Sequence, residues 1–112
     1  DIAFSHGNRV PLFTQIPKKF SKSNTYLFYS CPDWIIQQDQ DAFVIDTSII
    51  EINSTEAYEF TKAGCLYISP NSHISAGDLV LVQNQNKLFV KRFSKGMKDT
   101  LLGKVIAQEI RF

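Results

Sequence analysis

The second half of the chain repeats with a period of two, and this limits its fold more than any other feature. Residues 65–69 (Cys-Leu-Tyr-Ile-Ser), 79–82 (Leu-Val-Leu-Val), 87–93 (Lys-Leu-Phe-Val-Lys-Arg-Phe) and 101–110 are short apolar or alternating runs. Turn-forming residues separate them: Ala63-Gly64, the loop 70–76, Gly77-Asp78 and the polar tip 83–86. Such runs bounded by Gly, Pro, Asn and Ser read as β-strands joined by tight connections. A doubly wound α/β fold needs long amphipathic helices between its strands, and none is present. The pattern predicts a mainly β domain, a compact bent or barrel-like sheet with short helices at most.

The first half fits the same reading with weaker signals. Residues 9–16 form a candidate strand in which Pro11, having no N–H, belongs at an edge or a strand start. Residues 18–24 are polar and read as a loop, and residues 25–30 (Thr-Tyr-Leu-Phe-Tyr-Ser) as a second strand. Pro32 and Asp33 near the start of residues 31–38 suit a helical turn. Residues 42–46 and 49–52 read as strand, as one piece with a bulge, and 54–60 have weak helical character. No internal repeat or low-complexity stretch appears, so residues 1–112 read as one domain.

Composition excludes several classes of function. The formal net charge of +1 is too balanced for a stand-alone nucleic-acid binder. Lys18, Lys19 and Lys22 read as a solvated loop, with a phosphate-contact patch as the alternative. Cys31 and Cys65 are far apart, and neither has a second Cys or a His at metal-ligand spacing. No metal or cofactor is expected. Two free thiols fit a reducing cytoplasm, with a single disulfide as the alternative. His6 and His73 are isolated and read as surface residues. No apolar run approaches the ~18 residues of a membrane span. The opening Asp1-Ile2-Ala3-Phe4-Ser5 is not a signal peptide. The first residue is not Met, and the chain reads as a fragment.

One position invites chemistry. Strand alternation puts Phe89, Lys91 and Phe93 on one face and Leu88, Val90 and Arg92 on the other. An ammonium desolvated among rings loses its proton more readily, and a neutral amine can act as general base for a hydroxyl nucleophile. The alternative is that Lys91 lays its methylenes along the rings and keeps its tip in water.

At this point the order of the segments resembles the C-terminal domains of LexA-type and phage CI-type repressors. Val10-Pro11-Leu12-Phe13 with Ile16 resembles their opening strand, and Gly64-Cys65-Leu66-Tyr67-Ile68-Ser69-Pro70 their first Gly-Asp-Leu-Val-type strand. Gly77-Asp78-Leu79-Val80-Leu81-Val82 resembles the second such strand. Phe89-Val90-Lys91-Arg92-Phe93 resembles the strand that carries the lysine of a Ser–Lys dyad, and Leu102-Gly103-Lys104-Val105-Ile106 the closing strand. These matches cover most of the chain in the family's order. The resemblance implies a bent β fold that dimerises, a helix-turn-helix DNA-binding domain upstream, and self-cleavage by a serine and Lys91.

The chain departs from the family at the nucleophile. Glu51-Ile52-Asn53-Ser54 is similar to the Glu-Gly-Asn-Ser of phage repressors and makes Ser54 the first candidate. Ser48, in Asp46-Thr47-Ser48, is the alternative, while ungapped counting from Phe43 lands on Glu51. The family's glycine and methionine are missing, and a β-branched Ile52 stands where a glycine would permit the turn. The family cuts Ala-Gly or Cys-Gly, but the corresponding pair here is Lys18-Lys19. Ala63-Gly64 precedes a core strand and is rejected as the cut site.

The expected function is therefore homodimerisation or higher self-association of a repressor whose self-cleavage has been lost; an active Ser–Lys autopeptidase is the alternative. The expected partners are a second copy of the chain, DNA only through a domain outside this chain, and an antirepressor protein. Ile106, Ile110 and Phe112 are the candidate self-association residues.

Overall fold

The computed structural model describes residues 9–51 and 64–110. They form a mainly β structure, as the period-two pattern predicts. The strands are β1 (Arg9–Phe13), β2 (Phe28–Ser30), β3 (Phe43–Asp46), β4 (Gly64–Ser69), β5 (Leu79–Asn84), β6 (Lys87–Arg92) and β7 (Thr100–Ile110), with one short helix, α1 (Asp33–Gln38). They make a single seven-stranded sheet of order β2-β1-β3-β4-β7-β5-β6. The β1–β3 pair is parallel and the other pairs are antiparallel. The last strand of the chain thus lies between β4 and β5.

The sheet bends but does not close into a barrel. Beyond β3 the chain runs to the far edge, where Ile50 bridges Leu88 of β6 in parallel and the Glu51 amide donates to the Leu88 carbonyl at 2.8 Å. Inside the bend lies a first core of Phe13, Phe43, Ile45, Ile50, Leu66, Ile68, Leu81, Leu88 and Val90. The other face of β3 and β4 packs under α1 and makes a second core of Val10, Cys31, Ile35, Ala42, Val44, Cys65 and Tyr67. Alternation divides the strands between the two: Phe43 and Ile45 face one way and Val44 the other, Leu66 and Ile68 one way and Cys65 and Tyr67 the other. This explains why β4 reads as a near-continuous apolar run: all six of its residues are buried.

The structure differs from the sequence reading mainly at strand ends. Of residues 49–52, which read as strand, Ile49 instead closes a 3-10 turn over Thr47–Ile49 and Ile50 makes an isolated β-bridge, while Ile52 and the stretch 54–60, which read as weakly helical, lie outside the described residues. Side chains redirect the backbone at the 3-10 turn. The Asp46 carboxylate accepts from the Ser48 amide at 2.9 Å, and the buried Thr47 hydroxyl donates to the Gly64 carbonyl at 3.1 Å. β2 begins at Phe28 rather than residue 25, because the Thr25 hydroxyl occupies the Leu12 carbonyl at 2.8 Å in place of a backbone amide. The β5–β6 tip shrinks to Gln85 and Asn86, whose φ angles of 53° and 64° are those of a two-residue primed turn.

Two features fix how the layers meet. A Cβ on Gly103 of β7 would lie 2.7 Å from the Ile68 methyl and 2.9 Å from the Ser69 carbonyl oxygen, so β7 approaches β4 more closely than a side chain allows. At the end of α1, the buried Asp39 carboxylate ties the α1–β3 turn to the loop after β4. It accepts from the Ser69 hydroxyl at 2.5 Å, from the Asn71 amide and side chain at 2.8 and 2.9 Å, and from the Asp41 amide at 2.9 Å. Burial alone would push this carboxyl up, but those hydrogen bonds outweigh it and hold Asp39 below the usual carboxylate range.

Two outcomes follow for equilibrium urea unfolding. Gly103→Ala should cost about 1–3 kcal/mol through overpacking. Asp39→Ala should cost about 3 kcal/mol at pH 7, because it leaves buried donors unpaired. A folded-state pKa lowered from the unfolded ~3.9 contributes stability above about pH 4 and loses it as pH falls further. The gap between wild type and Asp39→Ala should therefore narrow below that pH; a gap that widens there contradicts this role for Asp39.

Candidate functional site

β6 carries the residue singled out from the sequence, and its alternation is as expected. Leu88 and Val90 turn into the first core and are 0 and 1 % exposed. Phe89 and Lys91 lie on the opposite, outer face, so the amine points away from that core. Val80 and Val82 of β5 share the outer face and stand directly across from Lys91 and Phe89, yet both are fully buried. The register makes Lys91 and Phe89 their cover: the lysine stem shields valine surface while its tip stays accessible.

The tip is committed to a carboxylate. Lys91 Nζ donates to Asp99 Oδ2 at 2.9 Å, and Asn84 Nδ2 donates to Asp99 Oδ1 at 2.7 Å. The ammonium also sits 5.3 Å from the Phe89 ring centre. The Asp99 side chain is 9 % exposed and that of Lys91 32 %. The hydrogen bond from Lys91, then that from Asn84, hold the Asp99 carboxyl below its usual range against the smaller effect of burial. Beside this pair a shallow depression of about 310 Å³ is lined by polar groups, among them Gln83, Asn84, Lys98 and Thr100. On the same side of the molecule Lys104 pairs with Asp78 at 3.4 Å.

The structure does not bring the described serine candidate to this amine. Ser48 is exposed on the 3-10 turn after β3, and no hydrogen bond joins it to Lys91. Ser54 and Phe112 lie outside the described residues. Ile106 is half-buried against the second core, whereas Ile110, at the end of β7, is 44 % exposed. Lys18, Lys19 and Lys22 are exposed, as is His73.

Cys31 and Cys65 are buried thiols that form no disulfide. Burial, then Asp33, pushes the Cys31 thiol up, so it is a poor nucleophile. Burial, with Glu109 and Cys65 near, raises the Tyr67 phenol, while the neighbouring Tyr29 hydroxyl donates to the Glu109 carboxylate. Among the described residues no group of His, Cys, Asp or Glu could hold a metal ion, and no helix is long and apolar enough to cross a membrane.

Sequence reasoning missed Asp99 and Asp39. Asp99 stands eight residues beyond Lys91 in a polar stretch with no periodicity, and only the approach of β7 brings it to β6. Asp39 lies in Gln37-Gln38-Asp39-Gln40-Asp41, a run that reads as surface. A comparison with protein-family models finds no match, and neither does a comparison with the curated proteins.

If the Lys91 stem is a cover for Val80 and Val82, Lys91→Met should keep stability within about 1 kcal/mol, since the lysine tip is open to water, Asn84 still bonds Asp99, and a solvent-screened ion pair contributes little. Lys91→Ala should cost about 1–2 kcal/mol by uncovering valine surface. Urea midpoints distinguish the two; equal losses would show that the charge rather than the stem matters.

Proposed function

We propose that the chain is the self-association domain of a LexA-like or phage CI-type repressor and that it performs no peptide-bond chemistry. The observation that carries this reading is the engagement of Lys91. A general base for a serine hydroxyl needs its amine within hydrogen-bond reach of that hydroxyl. Here the amine lies on the outer face and donates to Asp99. The altered nucleophile motif at residues 51–54 and the Lys18-Lys19 pair at the cut position agree with lost cleavage.

Support for the repressor framework comes from order and placement. The five segments that resemble the family fall on β1, β4, β5, β6 and β7 of one bent sheet. A domain of this kind contributes by pairing two DNA-binding modules, so that the second binding event proceeds at a high effective concentration. DNA is then contacted by the attached module, consistent with the balanced charge of this chain. An antirepressor would act by shifting the self-association equilibrium.

Two measurements test the reading. Sedimentation at micromolar concentration should show a dimer or larger species, and a monomer removes the proposal. A longer protein including this chain, incubated at alkaline pH beside Lys91→Ala and Ser54→Ala variants, should stay intact in every sample. Cleavage that both substitutions abolish would replace this function with an active Ser–Lys autopeptidase.

A further inference from the structure

We infer that β2 is the seam at which two copies of the chain join, adding strand to strand so that their sheets run on as one. This rests on the self-association reading above and specifies its surface.

The two ends of the sheet are treated differently. At the β6 end, the Leu88 backbone already bonds to Glu51, and Lys87, Lys91 and Arg92 place three cations along the strand. Covering and like charge are the usual means of preventing strand addition. Among the described residues the β2 end has neither. No charged residue occurs between Lys22 and Asp33. Four of the seven exposed large apolar side chains among the described residues gather here: Ile16, Tyr26 (fully exposed), Leu27 and Phe28.

The backbone register defines what the edge offers. The Leu12 amide donates to the Leu27 carbonyl at 3.0 Å, and two residues along each strand Val10 faces Tyr29. The bonded positions of this ladder are therefore Leu27 and Tyr29, and Pro11, with no amide to give, faces Phe28 at a non-bonded position. Phe28 and Ser30 consequently turn their N–H and C=O groups outward, where no described residue meets them. Free groups of this kind are matched by another β-strand.

A second copy is the strand that fits. In a twofold antiparallel pairing centred on Tyr29, Phe28 of one copy lies opposite Ser30 of the other. Each such pair exchanges both of its N–H···O bonds. Symmetric pairing brings every charge near its own mate, so an uncharged edge suits it and a charged one does not. The centred register also keeps Tyr29 bonded to β1 within its own copy.

The test uses the whole chain. Phe28→Lys places like charges on one face of the seam and should weaken dimerisation by about tenfold or more in sedimentation equilibrium. Adding Ser30→Glu to that variant sets each new lysine opposite a glutamate of the other copy and should restore the dimer. In the unaltered protein, the Phe28 and Ser30 amides should be protected from hydrogen exchange at concentrations that hold the dimer and become unprotected on dilution. A wild-type dimer with these amides unprotected, or one unaffected by Phe28→Lys, overturns the seam and leaves the self-association reading standing. A wild-type monomer overturns both. If Phe28→Lys does not fold, the exchange measurement decides alone.

Discussion

β4 has no solvent face, and much of the molecule follows from covering both of its sides. A strand buried on both faces needs two layers, and the chain supplies them by different means. One layer is the sheet itself, bent until Ile50 meets Leu88. The other is α1 with the Tyr29 ring, held down by Asp39 at one end and the Tyr29–Glu109 hydrogen bond at the other. Close approach makes this possible: Gly103 lets β7 lie against Ile68 and Ser69 without a side chain between them. Asp39 is the polar counterpart of that contact, a buried carboxylate that accepts from Ser69, Asn71 and Asp41.

On the outer face the constraint is milder, and that is where chemistry was expected. Lys91 has the strand, the register and the aromatic neighbour of a modified amine, but it is positioned as an ion-paired cover over Val80 and Val82. The same alternation that gives it Phe89 as a neighbour sends Leu88 and Val90 inward, so β6 cannot both fill the bend and direct its lysine into it. An amine on this face has a carboxylate partner from the start of β7, not a hydroxyl.

The sequence showed the strands of the second half well because their signal is local: a period of two, turn residues between, and a hairpin tip. Several boundaries moved, among them residues 14–16, which follow the end of β1; at residues 25–27, 49 and 83–84 a side chain takes a backbone group or a turn tightens. Thr25 on the Leu12 carbonyl and Asp46 on the Ser48 amide are such cases, and propensity does not register them. The face of Lys91 was legible, but which face lay inside was not, since Phe89 and Val90 are both apolar. Asp99 and Asp39 were invisible for a plainer reason: each acquires its role from a partner brought close only by the finished sheet.

The position of β7 in the sheet bears on how the protein comes into being. β7, the last of the described strands in chain order, occupies a middle position, between β4 and β5. During synthesis the ladder from β2 to β4 and the β5–β6 hairpin can each form early, but beyond the isolated Ile50–Leu88 bridge no ladder of the described strands joins one to the other until β7 arrives. The nascent chain therefore carries two open inner borders that disappear together when that strand docks, and long-range pairing of this kind is slow. The full sheet is withheld until β7 has emerged, so a chain interrupted before it lacks the strand that unites its halves.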